Sequence, residues 1–350
     1  MISEDASGPA LDPEVASQLR DVLDESGFDE RGVLDALGAK DFWSSERHFP
    51  PLILHQIEGN PLEPLMRLFV LRSFVEPETA LKALAPISEE DLVRSGILEI
   101  NDTKARAKVR ILPQKGIFLT SDWPRGQDGL KKDYVMGMSP SSITVSNLGV
   151  RGPLGDYLDL GTGSGVLALL AAEHCERVTA TDLNVRAVEM TRFNVALNRM
   201  SNVECVYGAM YEPVEGRRFD AILTNPPYVI SPDVKFQFMD SEIGGEEFCK
   251  QLVRDAPRFM NEGGWFQMAC NWAERGSIDW KEQLATWFEG NGCDVWVLRF
   301  ERDDPAAYAT AWIRQSEGDD VVLYEERYAR WMKFFADQNI ESLSMGFVSM

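Results

Sequence analysis

The stretch Asp159-Leu160-Gly161-Thr162-Gly163-Ser164-Gly165 limits what this chain can fold into more than any other, because it joins an apolar strand pattern to an apolar helical one. Closely spaced glycines permit a tight turn with positive φ and let backbone approach a ligand that any Cβ would hold away. Strand and helix patterns alternate around it: strand 157–160, helix 166–175, strand 177–181, helix 185–199, then strands 203–207 and 221–224. The series goes on with helix 246–260, strand 265–270, helix 280–288, strand 294–300, two helices near 305–313 and 325–338, and a closing strand at 343–350. Alternation of this kind predicts an α/β fold with a mostly parallel, doubly wound sheet.

The first part of the chain reads differently. Helical periodicity runs through residues 12–75, as in Val15, Leu19, Val22 and Leu23 and again in Leu62, Leu65, Leu68 and Leu71. Two short helices (78–84 and 89–95) then precede strand segments 107–112 and 116–120, separated by a Pro-Gln-Lys-Gly turn. Helices followed by a hairpin predict a winged-helix-like module. We therefore divide the chain into a helical, winged-helix-like cap at 1–130 and a cofactor-binding catalytic domain at 131–350, a division that 350 residues with 44% apolar content can support.

Charge narrows the partners. Asp and Glu number 56 against 35 Lys and Arg, a formal charge of -21, so the field of the whole molecule repels phosphate backbones. We expect no nucleic-acid partner, a cap that packs or closes over substrate, and a solvated face where Lys131 and Lys132 lie together. Cys175, Cys205, Cys249, Cys270 and Cys293 are far apart, and His48, His55 and His174 form no ligand spacing with them, which predicts free thiols and no metal. The acidic N-terminus and the shortness of the apolar run 166–172 predict a soluble, cytoplasmic protein without membrane attachment.

Spacing then selects the cofactor. Asp182 ends the next strand about 20 residues beyond the first glycine, where a carboxylate can accept both ribose hydroxyls of an adenosine. That position suits NAD and S-adenosylmethionine alike. The loop lacks the final G-x-x-G spacing of pyrophosphate binders, and Asp159 would repel a pyrophosphate. S-adenosylmethionine is favoured, with Gly161, Thr162, Gly163 and Gly165 beneath it, Asp159 attracting its ammonium end, and Asp182 with Leu183 at the nucleoside. A tight turn with no ligand is the plain alternative for the loop taken alone.

Asn225-Pro226-Pro227-Tyr228 follows strand 221–224 directly, at the carboxyl edge where open α/β sheets bind ligands. Two prolines hold the backbone extended, so the Asn225 side-chain oxygen and the Pro226 carbonyl can face one NH2 group. Tyr228 adds an aromatic face for a planar amide, a base or a sulfonium. The plain alternative is a strand-ending turn with a core tyrosine. Ser139, Ser141 and Ser142 read either as a closure over the methionine carboxylate or as a helix N-cap. Trp272 is a candidate pocket wall, and Trp265, Trp280, Trp287 and Trp296 are expected in core or lid. No histidine or lysine is placed as a general base, which methyl transfer to nitrogen can do without.

Together the strand, the glycine loop, Asp182 and the N-P-P-Y tetrad resemble the amino-methyltransferases that share an (N/D/S)-P-P-(Y/F) motif, among them release-factor glutamine, adenine-N6 and ribosomal guanine-N2 methyltransferases. The resemblance covers roughly residues 134–300. It implies a Rossmann-like class I methyltransferase sheet, S-adenosylmethionine as cofactor with Asn225 among the residues that bind it, and a target nitrogen held in line by Asn225, Pro226 and Tyr228. A nearer likeness is to a bacterial group with a winged-helix-like N-terminal half, matched here by Gly137-Met138-Ser139-Pro140-Ser141, by 225–232 and by Gly292-Cys293-Asp294-Val295-Trp296-Val297. Some of its members resemble azetidine-2-carboxylate synthases. Where glutamine methyltransferases carry an acidic residue after the third strand, this chain has Gly208-Ala209-Met210-Tyr211-Glu212-Pro213, so adenine is expected to rest on apolar and backbone contacts. Three functions stand: an N-methyltransferase acting on a small molecule, peptide or protein; a cyclase that closes an azetidine from S-adenosylmethionine alone; and a non-catalytic sensor, against which the intact tetrad counts.

Overall fold

Side-chain caps set the helix boundaries at the N-terminal end of the computed structural model, which describes residues 12–42, 50–124, 132–233, 244–276, 278–317 and 321–350. Helix α1 (Pro13–Ser26) starts where the Asp12 carboxylate accepts from two backbone N–H groups and stops at Gly27, φ 73°. Helix α2 (Glu30–Leu37) repeats the device with Asp29 and Gly38. Helices α3 (Pro50–Gln56), α4 (Glu63–Phe69), α5 (Pro77–Ala83) and α6 (Glu89–Arg94) complete the helical part. His48, Lys131 and the first eleven residues lie outside the described residues, and Lys132 is exposed.

Two small antiparallel sheets follow the helices, where the sequence pattern suggested one hairpin. Strand β1 (Leu98–Ile100) pairs with β2 (Ala105–Ala107), segments too short to show a periodicity. Strand β3 (Arg110–Gln114) pairs with β4 (Ile117–Ser121). Pro113 and Gln114 belong to the strand, and the turn shrinks to Lys115 and Gly116, with φ of 52° and 82°. Left-handed geometry at both turn residues matches the twist of the flanking strands.

The remaining strands are β5 (Leu154–Leu160), β6 (Cys175–Asp182), β7 (Val203–Tyr207), β8 (Phe219–Thr224), β9 (Met260–Arg275), β10 (Trp296–Asp303) and β11 (Ile340–Ser349). They form one sheet in the order β7-β6-β5-β8-β9-β11-β10. Strands β5 to β9 pair in parallel, and β11 runs antiparallel to both of its neighbours. This is the Rossmann-like α/β architecture that the alternating pattern predicts. Strand order reverses between β5 and β8, so the loops leaving those two strands border the crevice in which such sheets bind ligands. The final strand does not close the edge; it inserts between β9 and β10. A Cβ at Gly346 would run into the Leu298 carbonyl and the Trp272 ring, so glycine permits that insertion.

Helices α7 (Pro140–Leu148), α8 (Val166–Ala172), α9 (Val185–Leu197), α10 (Gly245–Asp255), α11 (Trp280–Ala285), α12 (Pro305–Glu317) and α13 (Val321–Asp337) accompany the sheet. Helix α9 is buried on two sides. Ala187, Met190, Phe193 and Leu197 join the N-terminal hydrophobic cluster, and α9 also lies against β6 and β7. Its Asn194 and Asn198, one turn apart, act on β4 as a neighbouring strand would. Asn198 receives the Phe118 N–H at 2.9 Å and donates to its carbonyl at 2.8 Å; Asn194 does the same for Thr120, at 2.8 and 2.9 Å. Buried Arg186 adds a two-pronged pair with Asp122, just beyond β4.

Among the described residues no helix is long and apolar enough to cross a membrane, and no group of His, Cys, Asp or Glu is arranged to hold a metal. All five cysteines are free thiols.

Candidate functional site

The glycine loop leaves β5 with four of its amides already occupied. Gly161 and Thr162 N–H both donate to the Thr181 carbonyl at 2.9 and 2.8 Å, Gly163 N–H to Asp182 Oδ2 at 2.9 Å, and Gly165 N–H to the Thr162 carbonyl at 2.8 Å. A pyrophosphate needs free N–H donors in such a loop, and these bonds leave it few. Gly161 and Gly163 have φ of 76° and 58°, and a Cβ on either would meet nothing within 4 Å. They border open space. At Gly165, φ 90°, a Cβ would come within 2.9 Å of Thr191 Cγ2, so this glycine lets the loop pack on α9.

Buried Asp159 accepts from Thr162 Oγ1 at 2.7 Å and from the Ala168 N–H at 2.9 Å, both through Oδ2, while Oδ1 has no partner. Removal from water pushes its carboxyl up to about 7, and the Asp182 charge adds to this against the two hydrogen bonds. An adjacent cation would restore the ionised form. Asp182 ends β6 with one oxygen on Gly163 N–H and the other on Asn184 N–H, at 2.9 and 2.8 Å. Burial pushes this carboxyl up and the backbone N–H groups oppose the shift. These backbone bonds, with a further one from the Leu183 N–H, brace the loop and the start of α9. Leu183 beside it is 55% exposed.

Across the crevice, Leu160 pairs in register with Thr224, whose Oγ1 donates to the Leu160 carbonyl at 2.6 Å. Asn225 therefore emerges next to Gly161. Its Nδ2 donates to Ser141 Oγ at 3.1 Å, and its Oδ1 is buried without a partner. Ser139 and Ser142 form the capping box at the start of α7, so the N-cap reading holds for those two, and Ser141 alone turns to the tetrad. Pro226 is buried. Tyr228 is buried too, with its ring 6.2 Å from Trp312 at 76°. Burial pushes its phenol up to about 12 against a hydrogen bond with Ser141.

These groups fit S-adenosylmethionine: open space over two glycines, carboxylates near the ends of β5 and β6, and orphaned acceptor oxygens on Asp159 and Asn225. A charged methionine end and a ribose are what such donors and acceptors lack. The comparison with known proteins agrees.

Residues 139–286 match the methyltransferase small domain. Residues 25–108 match a domain of unknown function (DUF7059). The release factor glutamine methyltransferase of Xylella fastidiosa (strain 9a5c) is 34% identical over 134 residues, which is 34% of this chain and 48% of that protein. The ribosomal protein uL3 glutamine methyltransferase of Bradyrhizobium diazoefficiens is 32% identical over 120 residues, 31% of this chain and 38% of the relative. The ribosomal RNA small subunit methyltransferase C of Cronobacter sakazakii is 34% identical over 119 residues, 33% and 31% of the two chains. The chain thus spans about half or less of the relatives it matches. The matches support the class I S-adenosylmethionine-dependent methyltransferase family and S-adenosylmethionine as cofactor.

Several residues that hold the tetrad, most of them beyond the matched residues 139–286, gave no signal in the sequence. The Ile230 N–H donates to Tyr308 Oη at 3.0 Å, 78 residues away. Asp233 takes the Trp331 Nε1–H at 2.8 Å, 98 residues on, and pairs with Arg327 at 3.1 Å and with Arg330. Helices α12 and α13 thereby clamp the backbone that follows Tyr228. Trp272 corrects an expectation: it is fully buried and stacked on Trp280 at 5.6 Å, a core residue rather than a pocket wall. Trp296, expected in core or lid, is 76% exposed.

Proposed function

We propose that the protein is an S-adenosylmethionine-dependent N-methyltransferase acting on an amide or amine nitrogen of a small molecule, peptide or protein. The observation that carries this reading is the buried, unpartnered Oδ1 of Asn225 beside the glycine loop. An acceptor N–H would satisfy an oxygen whose isolation costs about 1–3 kcal/mol. The Pro226 carbonyl is a second acceptor for the same NH2 group, and Ser141 fixes the Asn225 amide so that its oxygen faces inward.

Bound S-adenosylmethionine supplies a methyl group on a positively charged sulfur, open to displacement by a nitrogen lone pair. Asp159 attracts the ammonium end, Asp182 accepts from the ribose with Leu183 beside the nucleoside, and Gly161 and Gly163 leave room for it. Tyr228 closes the site from the α12 side. Orientation by Asn225 and Pro226, with water kept out on the α12 side by buried Tyr228, lowers the barrier without a general base. Net charge of -21 favours a small or protein acceptor over nucleic acid. Glutamine-bearing peptides, the acceptor class in the names of two relatives, are the first to try.

Incubating the purified protein with S-adenosylmethionine, first alone and then with acceptors, tests this. S-adenosylhomocysteine formed only when an acceptor is present supports it. Methylthioadenosine released without acceptor would replace it with the cyclase, and binding without either product would leave a sensor.

A further inference from the structure

A cleft of about 510 Å³ opens between α12 and the β9–β11–β10 end of the sheet, lined by Asn271, Glu301, Asp303, Trp312, Leu343 and Met345 among others. Asn271, Met345 and Glu301 are register neighbours across the three strands, and Leu343 with Asp303 forms a parallel row. The cleft adjoins the tetrad, because Trp312 packs on Tyr228, and Tyr308, also in the lining, holds Ile230.

Two independent observations point to its ligand. Asn271 is 0% exposed, its Nδ2 donates to Tyr308 Oη at 2.7 Å, and its Oδ1 has no partner, so an N–H is what the floor lacks. On the wall, Glu301 and Asp303 form no ion pair among the described residues, because the neighbouring Arg299 and Arg302 pair with Glu274 instead. Arg314 also lines the cleft, but it is already partnered and is outnumbered by the carboxylates. Leu343, Met345 and the Trp312 ring supply apolar surface between floor and wall.

We propose that this cleft recognises a cationic nitrogen on an apolar stem, a second group of the same acceptor whose reacting nitrogen meets Asn225. The inference rests on the N-methyltransferase reading for its purpose, though not for its test. Such a nitrogen belongs either to a free alkyl amine or to a lysine side chain of a peptide or protein.

The test measures binding to the full chain saturated with S-adenosylhomocysteine. One pair of probes is 1,5-diaminopentane against 1-pentanol; the other is N-acetyl-lysine N-methylamide against N-acetyl-norleucine N-methylamide. We expect one cation or both to bind at least about tenfold more tightly than its neutral partner, a preference that weakens with added salt. Preference for the diamine alone assigns a free amine, and preference for the lysine derivative alone assigns a peptide. In the Glu301→Gln, Asp303→Asn double variant the preference should shrink below about twofold while S-adenosylhomocysteine affinity stays within about twofold. No preference in the unaltered protein, or one that survives the double variant, overturns the proposal. Failure to bind S-adenosylhomocysteine at all would instead sink the methyltransferase reading, and the cation preference would still decide the cleft.

Discussion

Asp159 and Asn225 each keep one buried oxygen without a partner, and each makes a different experimental claim. A carboxyl at about 7 in the folded protein binds its proton more tightly than at the ordinary value of about 3.9 in the unfolded chain. Its contribution to stability is therefore fully present below about pH 3.9 and lost as pH rises through about 7. A cation placed against Asp159 favours the ionised form, so we expect S-adenosylmethionine to bind more tightly as pH rises through about 7, with release of a proton. Calorimetry in buffers of different ionisation enthalpy reads that proton, and Asp159→Asn should abolish it. Proton-neutral binding by the unaltered protein would move the ammonium away from Asp159. For Asn225→Ala we expect S-adenosylmethionine affinity within several-fold and turnover reduced on the order of 100-fold, since orientation of the acceptor is lost while the cofactor's contacts remain. Affinity and turnover falling in proportion would make Asn225 a support of the pocket only. The places of both side chains at strand ends were legible in the sequence; their unpartnered oxygens were not. Ser141, which aims the Asn225 amide, was legible only as one of three serines near a helix start.

Helix α9 shows what an element can carry beyond its own periodicity. Its apolar positions predicted a helix, but not that two sides would be buried, nor that Asn194 and Asn198 would replace a missing strand beside β4. Asn194 also donates to the Ser164 carbonyl at 2.8 Å, so one amide joins the hairpin to the glycine loop. Asn194→Ala leaves the Thr120 N–H and two carbonyls unpaired in a dry place, and we expect a loss of about 2–4 kcal/mol by denaturant unfolding. Asn198→Ala, at a partly exposed site, should cost less. Equal small losses would mean that water replaces both amides and that the hairpin is held by its apolar face alone. The tetrad depends on elements in the same way: α12 and α13, far along the chain, supply Tyr308 and Trp331 to fix the backbone after Tyr228.

For the molecule as a whole, charge and core arrangement bear on partners. A formal charge of -21 disfavours association with any polyanion, and we expect no measurable binding of duplex DNA or RNA at near-physiological salt. Gel-shift or anisotropy titration checks this; a submicromolar affinity that falls steeply with salt would show a local basic surface overriding the net field. The N-terminal hydrophobic cluster takes four side chains from α9, so the parts on either side of residue 130 share one packed seam. A hinge motion there would have to break the Arg186–Asp122 pair and the Asn194 bonds together.

The sequence by itself determined the alternating α/β architecture, the glycine turn, the carboxylates at two strand ends and the N-P-P-Y tetrad, because each is a local pattern written in consecutive residues. Backbone needs dictate such patterns: φ above zero at Gly161 and Gly163, a fixed φ at Pro226 and Pro227, a strand end at Asp182. Only the tertiary structure decided that β11 inserts between β9 and β10, that Trp272 is core, and that Asn271, Glu301 and Asp303 line one cleft. Those outcomes depend on register between strands separated by tens of residues, where a shift of one position would turn every side chain to the other face.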